Sequence, residues 1–315
     1  VADSEQAERV AREVFLSSFA GNARGFAWAV RRIAATMRDL RVAPGGIVYR
    51  AGEAADHLYF VVSGEVTLVK PGADDRILGG RSFIGSTDVL LDRPRSRTAM
   101  ATAPTHLLKM RAADWLDLLE DSSELTRRIV TNLASGVHAL RMRPPPLGGF
   151  DEPPTSGAEL ARRLNLVERI LLLREASIFA QASIQTLTIL AEFATELRTA
   201  KGDVLPSREG TESRLIVIAS GQIAVSLTDH GPDARFGRGS LVNGSGALNP
   251  ALGYEGHAVT AALAISLSLE DYFDVMVEHF GLARSALRAL SDELEMLHDR
   301  TLAKGAGGGG KSQEA

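Results

Sequence analysis

The chain carries one pattern twice. A single shift of 157 residues lays Leu58–Val69 (LYFVVSGEVTLV) on Leu215–Ser226 (LIVIASGQIAVS), so that Gly64 falls on Gly221. The same shift carries Leu40–Gly46 (LRVAPGG) onto Leu197–Asp203 (LRTAKGD) and Ala113–Leu119 (ADWLDLL) onto Glu270–Met276 (EDYFDVM). A constant offset with no net gap predicts one supersecondary unit folded twice, not a single core of 315 residues.

Each copy has the same layout. It opens with helical spacing (Val10, Val14, Phe15, Phe19, then Ile33 and Met37). Short glycine-punctuated runs rich in Val, Ile, Leu and Tyr follow: Ile47–Tyr49, Leu58–Val62, Glu65–Val69 and Thr98–Met110. Closely spaced short strands predict a barrel or jelly roll in place of a parallel sheet. Helical spacing returns at Leu125, Ile129, Leu133, Val137 and Leu140, and in the second copy at Ala283, Leu287, Leu290, Leu294 and Leu297. The latter spacing suits either a partner helix, and so a homodimer through Leu287–Leu297, or packing on the chain's own barrel. The stretch 143–157 is crowded with proline and glycine and cannot continue a helix or a ladder. The expected organisation is a first domain over 1–142, a linker over 143–157, a second domain over 158–303 and a disordered Gly-rich tail over 304–315.

The net charge of −4 argues against a broad nucleic-acid-binding face. The absence of cysteine removes disulfides and thiolate chemistry and fits a reducing, cytoplasmic setting. No apolar run reaches the ~20 residues of a membrane span. The seven histidines have no metal-ligand spacing, and no nucleophile elbow or zinc motif is present. No metal, no catalytic residue and no cofactor is therefore expected, and the chain reads as a non-enzyme. Gly305–Ser312 (GAGGGGKS) spells a phosphate loop but lacks the strand before it and the helix after it. Asp117, Glu120 and Asp121 read as a solvated helix face.

Chemistry concentrates in Leu90–Ala99 (LLDRPRSRTA), which places Arg93, Arg95 and Arg97 around Pro94. A short helix over Ser86–Leu91 precedes it, opened by Gly85. Backbone N–H groups at such a start favour an anion. An arginine reaching back over the turn would add a permanently charged, bidentate partner for a phosphate.

The strand, the SG-E-V turn, a glycine ten residues before PR's arginine and a following strand resemble the cyclic-nucleotide-binding domain family. The resemblance covers Leu40–Leu140 and, more weakly, Leu197–Arg300. It implies a mainly β fold with flanking α helices: two tandem cyclic-nucleotide-binding-like β jelly-roll barrels, the second degenerate. Its phosphate cassette falls on Gly85, Ser86, Thr87, Arg95, Ser96 and Thr98. Arg95 would pair with the cyclic phosphate of cAMP or cGMP, and Ser96 would offer its N–H and hydroxyl. Arg93 and Arg97 read as solvated. Ser86 replaces the family's ribose-gripping glutamate. Asp88 replaces a small residue, where it would repel a phosphate or pair with Arg95. The shift sets Val242 opposite Gly85 and Leu252 opposite Arg95, so the second copy lacks the cassette. The resemblance implies a regulatory sensor that relays ligand binding to a protein output partner; the alternative is a ligand-free scaffold. No DNA-reading helix pair follows either copy.

Overall fold

The computed structural model describes residues 12, 26–141, 162–206, 208–209, 212–226, 234–242, 244–252 and 254–306. The expected linker, the helical spacing at Val10–Phe19 and all but the first residues of the expected tail lie outside that set. The chain divides into two compact units. One ends at Thr126 and takes in the chain again from His298; the other is Arg127–Leu297.

In the first unit, α1 (Phe26–Thr36) leads into β1 (Arg38–Val42), β2 (Ile47–Tyr49), β3 (His57–Ser63), β4 (Glu65–Lys70), β5 (Ala73–Gly79) and β6 (Phe83–Ile84). The one-and-a-half-turn α2 (Ser86–Leu90) follows, then β7 (Thr98–Ala101), β8 (Thr105–Arg111), α3 (Ala112–Asp121) and the start of α4 (Ser123–Arg141), which from Arg127 on belongs to the second unit. The run expected as one strand from Thr98 to Met110 breaks at Thr102–Pro104, so that β7 and β8 enter different sheets.

The strands form two antiparallel sheets of order β1-β8-β3-β6 and β2-β7-β4-β5. Val61, Ile84 and Leu107 from one sheet meet Tyr49, Val66, Leu68 and Ala99 from the other in a single core. Alternation along each strand explains this, since every second side chain points inward. No ladder among the described residues closes the sheets into one barrel; the jelly roll is a pair of facing sheets. At the β3–β4 turn, Gly64 takes φ +90°. A Cβ there would stand 2.5 Å from the Pro104 carbonyl oxygen, so only glycine fits.

The second unit contains α5 (Leu166–Glu175), a 3₁₀ turn, α6 (Ile184–Phe193), β9 (Thr195–Thr199), β10 (Val204–Pro206), β11 (Arg208–Glu209), β12 (Glu212–Ser220), β13 (Ile223–Val225), β14 (Ala234–Phe236), a 3₁₀ turn over Gly244–Leu248, β15 (Glu255–Ala258), β16 (Ala262–Ser268), α7 (Leu269–Glu278) and most of α8 (Phe280–Ala306). Shifted by 157, the bounds of β1, β2, β7, β8 and α3 coincide with those of β9, β10, β15, β16 and α7. Register repeats as well: Leu58 faces Met110, and Leu215 faces Leu267. The bulge at Val61/Ser63 recurs at Ile218/Ser220. The repeat therefore extends to the hydrogen-bond ladder of this central pair.

On α8, Ala283, Leu287 and Leu290 are fully buried within the chain, so this seam is filled by the protein's own residues. Among the described residues, no helix is long and apolar enough to cross a membrane.

Candidate functional site

The site is assembled around Arg95, which is 3% exposed. Two turns hold its backbone: Arg95 N–H donates to the Glu53 carbonyl (2.8 Å) and Gly52 N–H donates to the Arg95 carbonyl (2.8 Å). Its guanidinium donates through Nη1 to the Gly85 carbonyl (2.7 Å) and through Nη2 to the His57 carbonyl. Its face lies over the Tyr49 ring, 4.3 Å from the centroid, a cation–π contact. Tyr49 stacks on Tyr59 with ring centroids 5.8 Å apart. Burial pushes the Tyr49 phenol above its usual range, although the Arg95 charge pulls the other way. Arg95 Nε–H is buried with no hydrogen-bond partner among the described residues.

Gly85 caps α2 at φ +79°. A Cβ on it would stand 2.5 Å from Arg95 Nη1. The bare backbone expected to admit a ligand thus admits the arginine that would hold one. Ser86 and Thr87 open α2 beside it. Ser96 joins the group through its N–H, which donates to Asp88 Oδ2 over a long 3.3 Å. Thr98 does not reach Arg95: its Oγ1 accepts the Ala51 N–H (3.1 Å), tying the following strand to the β2–β3 turn.

Three expectations about charged neighbours are corrected. Asp88 is buried and pairs with Arg93, Nε to Oδ1 at 3.0 Å, instead of with Arg95. Arg93 is thereby half-buried and ion-paired, not simply solvated. Arg97 is 3% exposed and bonds Asp299. Asp117, Glu120 and Asp121 do form an exposed face, with Asp121 accepting from Arg32 at 2.6 Å. Sequence reasoning missed Tyr49 and His57, which contact Arg95 from far along the chain.

The second unit keeps the frame and loses the site. Val242, at the Gly85 position, is fully buried in an apolar core with Ile216, Ile218, Ile223 and Phe236. Leu252 holds the Arg95 position and Pro206 the Tyr49 position. A cleft of about 650 Å³ opens elsewhere in this unit, lined by Thr195, Glu196, Arg198, Asp203 and Arg214 among others. Glu196 is already spent there: it pairs with Arg198 (2.6 Å) and Arg169 (3.3 Å) and accepts the Leu164 N–H. Among the described residues, no group of three or more His, Asp or Glu could hold a metal ion.

Comparison with known proteins points the same way for the first unit. Residues 39–122 match the family described as "Cyclic nucleotide-binding domain". Over 93 residues, 30% of this chain and 26% of the relative, the chain is 32% identical to a cyclic nucleotide-gated potassium channel of Mesorhizobium japonicum. Over 101 residues, 32% of this chain and 28% of the relative, it is 32% identical to a cyclic nucleotide-gated potassium channel of Rhizobium etli. The chain thus spans about a quarter of the length of these curated relatives. Among solved structures it resembles the regulatory domain of Toxoplasma gondii PKA with cAMP, at 13% identity and a TM-score of 0.33, covering 96% of this chain and 97% of that one. It also resembles the regulatory subunit of a cAMP-independent protein kinase A from Trypanosoma brucei, at 16% identity and a TM-score of 0.32, covering 86% and 88%. The match to the cyclic nucleotide-binding domain family is confined to residues 39–122, and the second unit repeats the order of the β2-β7-β4-β5 sheet without the cassette.

Proposed function

We propose that the first unit binds a cyclic nucleotide, cAMP or cGMP, with its phosphate on Arg95, and that the chain is a regulatory sensor without catalytic activity. The observation that carries this is the orphaned Nε–H of a buried arginine. A buried charged donor without a partner is costly, and a phosphate oxygen would satisfy it. Ser96 N–H, only weakly engaged by Asp88, would supply a second donor. Ligand at Arg95 would pull on Gly85 and the start of α2, and a protein partner would read the resulting shift in population.

A thermal melt of the wild type and Arg95→Ala, each with and without millimolar cyclic AMP and cyclic GMP, tests this. A ligand present at a hundredfold over its Kd stabilises the native state by about 2.7 kcal/mol. Wild type should therefore melt several degrees higher with ligand, and the variant should show no shift. No shift in either protein overturns the reading.

One observation favours the alternative of a ligand-free interaction scaffold. Arg95 Nη1 and Nη2 are already satisfied by Gly85 and His57, and Asp88 holds the Ser96 amide. In that case partner capture would be unchanged by both nucleotide and Arg95→Ala.

A further inference from the structure

Burial alternates through the arginine loop: Arg95, Arg97, Ala99 and Ala101 are buried, while Ser96, Thr98 and Met100 are only half-buried. Within β7 a period of two puts Ala99 and Ala101 on one face, and Ser96 and Arg97 form the bend that leads into it. Ala99 belongs to the core between the sheets, as does Tyr49 under the Arg95 guanidinium, and Arg97 is as buried as Arg95. The neighbouring strand continues the pattern. Leu68 faces Ala99 and Val69 faces Thr98, which brings Lys70 beside Arg97. Lys70 shares its face with Val66 and Leu68, both core residues. On the other side of β4, Arg76 is opposite Leu68. Lys70, at the end of β4, and Arg97, just before β7, thus share one carboxylate partner, with the Arg76 charge acting on the same group and Arg95 two residues away.

A single carboxylate is placed among them. Asp299, in the part of α8 that belongs to the first unit, accepts from Lys70 Nζ at 2.9 Å and from Arg97 Nη2. Burial opposes its ionisation, but the Lys70 hydrogen bond and the Arg97 and Arg76 charges outweigh that and hold it below the usual carboxyl range. Arg97 is sealed, with 4% of its side chain exposed, whereas Asp299 and Lys70 keep 30% and 35%. The group is thus open to solvent on the side of the carboxylate. A carboxylate and a phosphate present the same paired acceptors to a guanidinium.

We propose that the inner face of the first unit holds two anion positions, one at Arg95 and one at Arg97 with Lys70, and that Asp299 fills the second until a nucleotide carrying a second phosphate displaces it. This rests on the reading that Arg95 receives a phosphate. It narrows the ligand class: one phosphate suffices for Arg95, and only a ligand with another phosphate has a reason to evict Asp299. Two sources share that chemistry, a cyclic dinucleotide and a nucleoside bisphosphate.

Calorimetric titration of the full chain tests it, using wild type, Asp299→Asn and Lys70→Met against cyclic AMP, cyclic di-AMP and adenosine 3′,5′-bisphosphate. Asp299→Asn keeps the shape and removes the competing charge. If Asp299 occupies the position about nine-tenths of the time, its removal tightens binding of a two-phosphate ligand about tenfold. Cyclic AMP should change by less than about twofold, and Lys70→Met should weaken only the two-phosphate ligand. Whichever of the two such ligands responds identifies the source. An equal change for cyclic AMP, or no change for any ligand while cyclic AMP still binds, overturns this inference alone. No binding by any of the three ligands to wild type or Asp299→Asn overturns it together with the reading of Arg95.

Discussion

Arg95 and Arg97 in the first unit have as their counterparts, 157 residues on, Leu252 and Tyr254 in the second. Around them the two units share one sheet order, the register of the central β3–β8 and β12–β16 pair, and its bulge. The difference separates what the frame requires from what the site requires. Glycine at the β3–β4 turn recurs as Gly64 and Gly221, both at positive φ, because the backbone itself would collide with a side chain there. The glycine that opens α2 does not recur. Its counterpart Val242 sits fully buried in the second core, where its apolar side chain contributes about 1.5–3 kcal/mol. With no arginine to house, the space goes to packing. Tyr254 packs against that same core, and burial pushes its phenol above the usual range.

The shared frame is the first thing to break. Gly64→Ala and Gly221→Ala should each destabilise their own unit by about 2–5 kcal/mol, the joint cost of a left-handed backbone and an overpacked contact. For Gly221 the added Cβ would stand 2.8 Å from Ala262 Cα, and for Gly64 2.6 Å from Thr105 Cα. Chemical denaturation should find the two losses comparable. A neutral Gly221→Ala would show that the repeat does not reach this turn.

Next comes Gly85, where the two units should respond differently from a shared rule. Gly85→Ala should cost about 1–2 kcal/mol for its backbone alone. It should cost more again because the Cβ displaces Arg95 Nη1, and the ligand-induced shift in melting should vanish. In an Arg95→Leu background, which gives the first unit the residue found in the second, only the backbone cost should remain. The resulting double-mutant cycle should give a coupling of at least about 1 kcal/mol. Additive losses would mean that Gly85 is not there to admit the arginine.

The frame was legible because glycines, short apolar runs and one constant shift report on local backbone needs. The loop's central arginine was legible from its ten-residue distance to Gly85. Its surroundings were not. His57 is 38 residues from Arg95, and Asp299 is 202 residues from Arg97; no local spacing announces either. Asp88 had three arginines within reach, and the turn through Asp92, at φ 52°, hands it to Arg93. Arg97 is the instructive miss. It was read as a surface residue of a loop, yet it is buried in the bend before β7, where its partner is Asp299 from the far end of the chain. Arginine is so often exposed that nothing local in the sequence marked this one as buried.

Asp88 offers a finer comparison, since its counterpart in the second unit is Ser245. Asp88→Ser should release the Ser96 N–H for a phosphate and remove a negative charge from beside it. Affinity for cyclic AMP should rise roughly tenfold, about 1.4 kcal/mol, while loss of the Asp88–Arg93 ion pair lowers the stability of the apo protein. Calorimetry alongside a melt separates the two effects. Unchanged affinity would mean that the Ser96 amide does not serve the ligand.

The smallest expected effect lies on the long helices, where His138 of α4 has Glu295 of α8 as its counterpart. Burial, reinforced by the Arg141 charge, holds the imidazole below its usual pKa. The unfolded chain therefore takes up a proton near its ordinary value of about 6.5 while the folded chain resists. Between the two values the unfolded state binds more protons, so stability rises with pH and is lost as pH falls through this window. His138→Asn should flatten the decline in melting temperature between pH 7.5 and 5.5 without touching ligand binding, because His138 belongs to the second unit and the cassette to the first. A variant that altered nucleotide affinity at fixed pH would mean instead that α4 takes part in reading the site, and that the second unit's loss of the cassette has not separated it from the first unit's ligand.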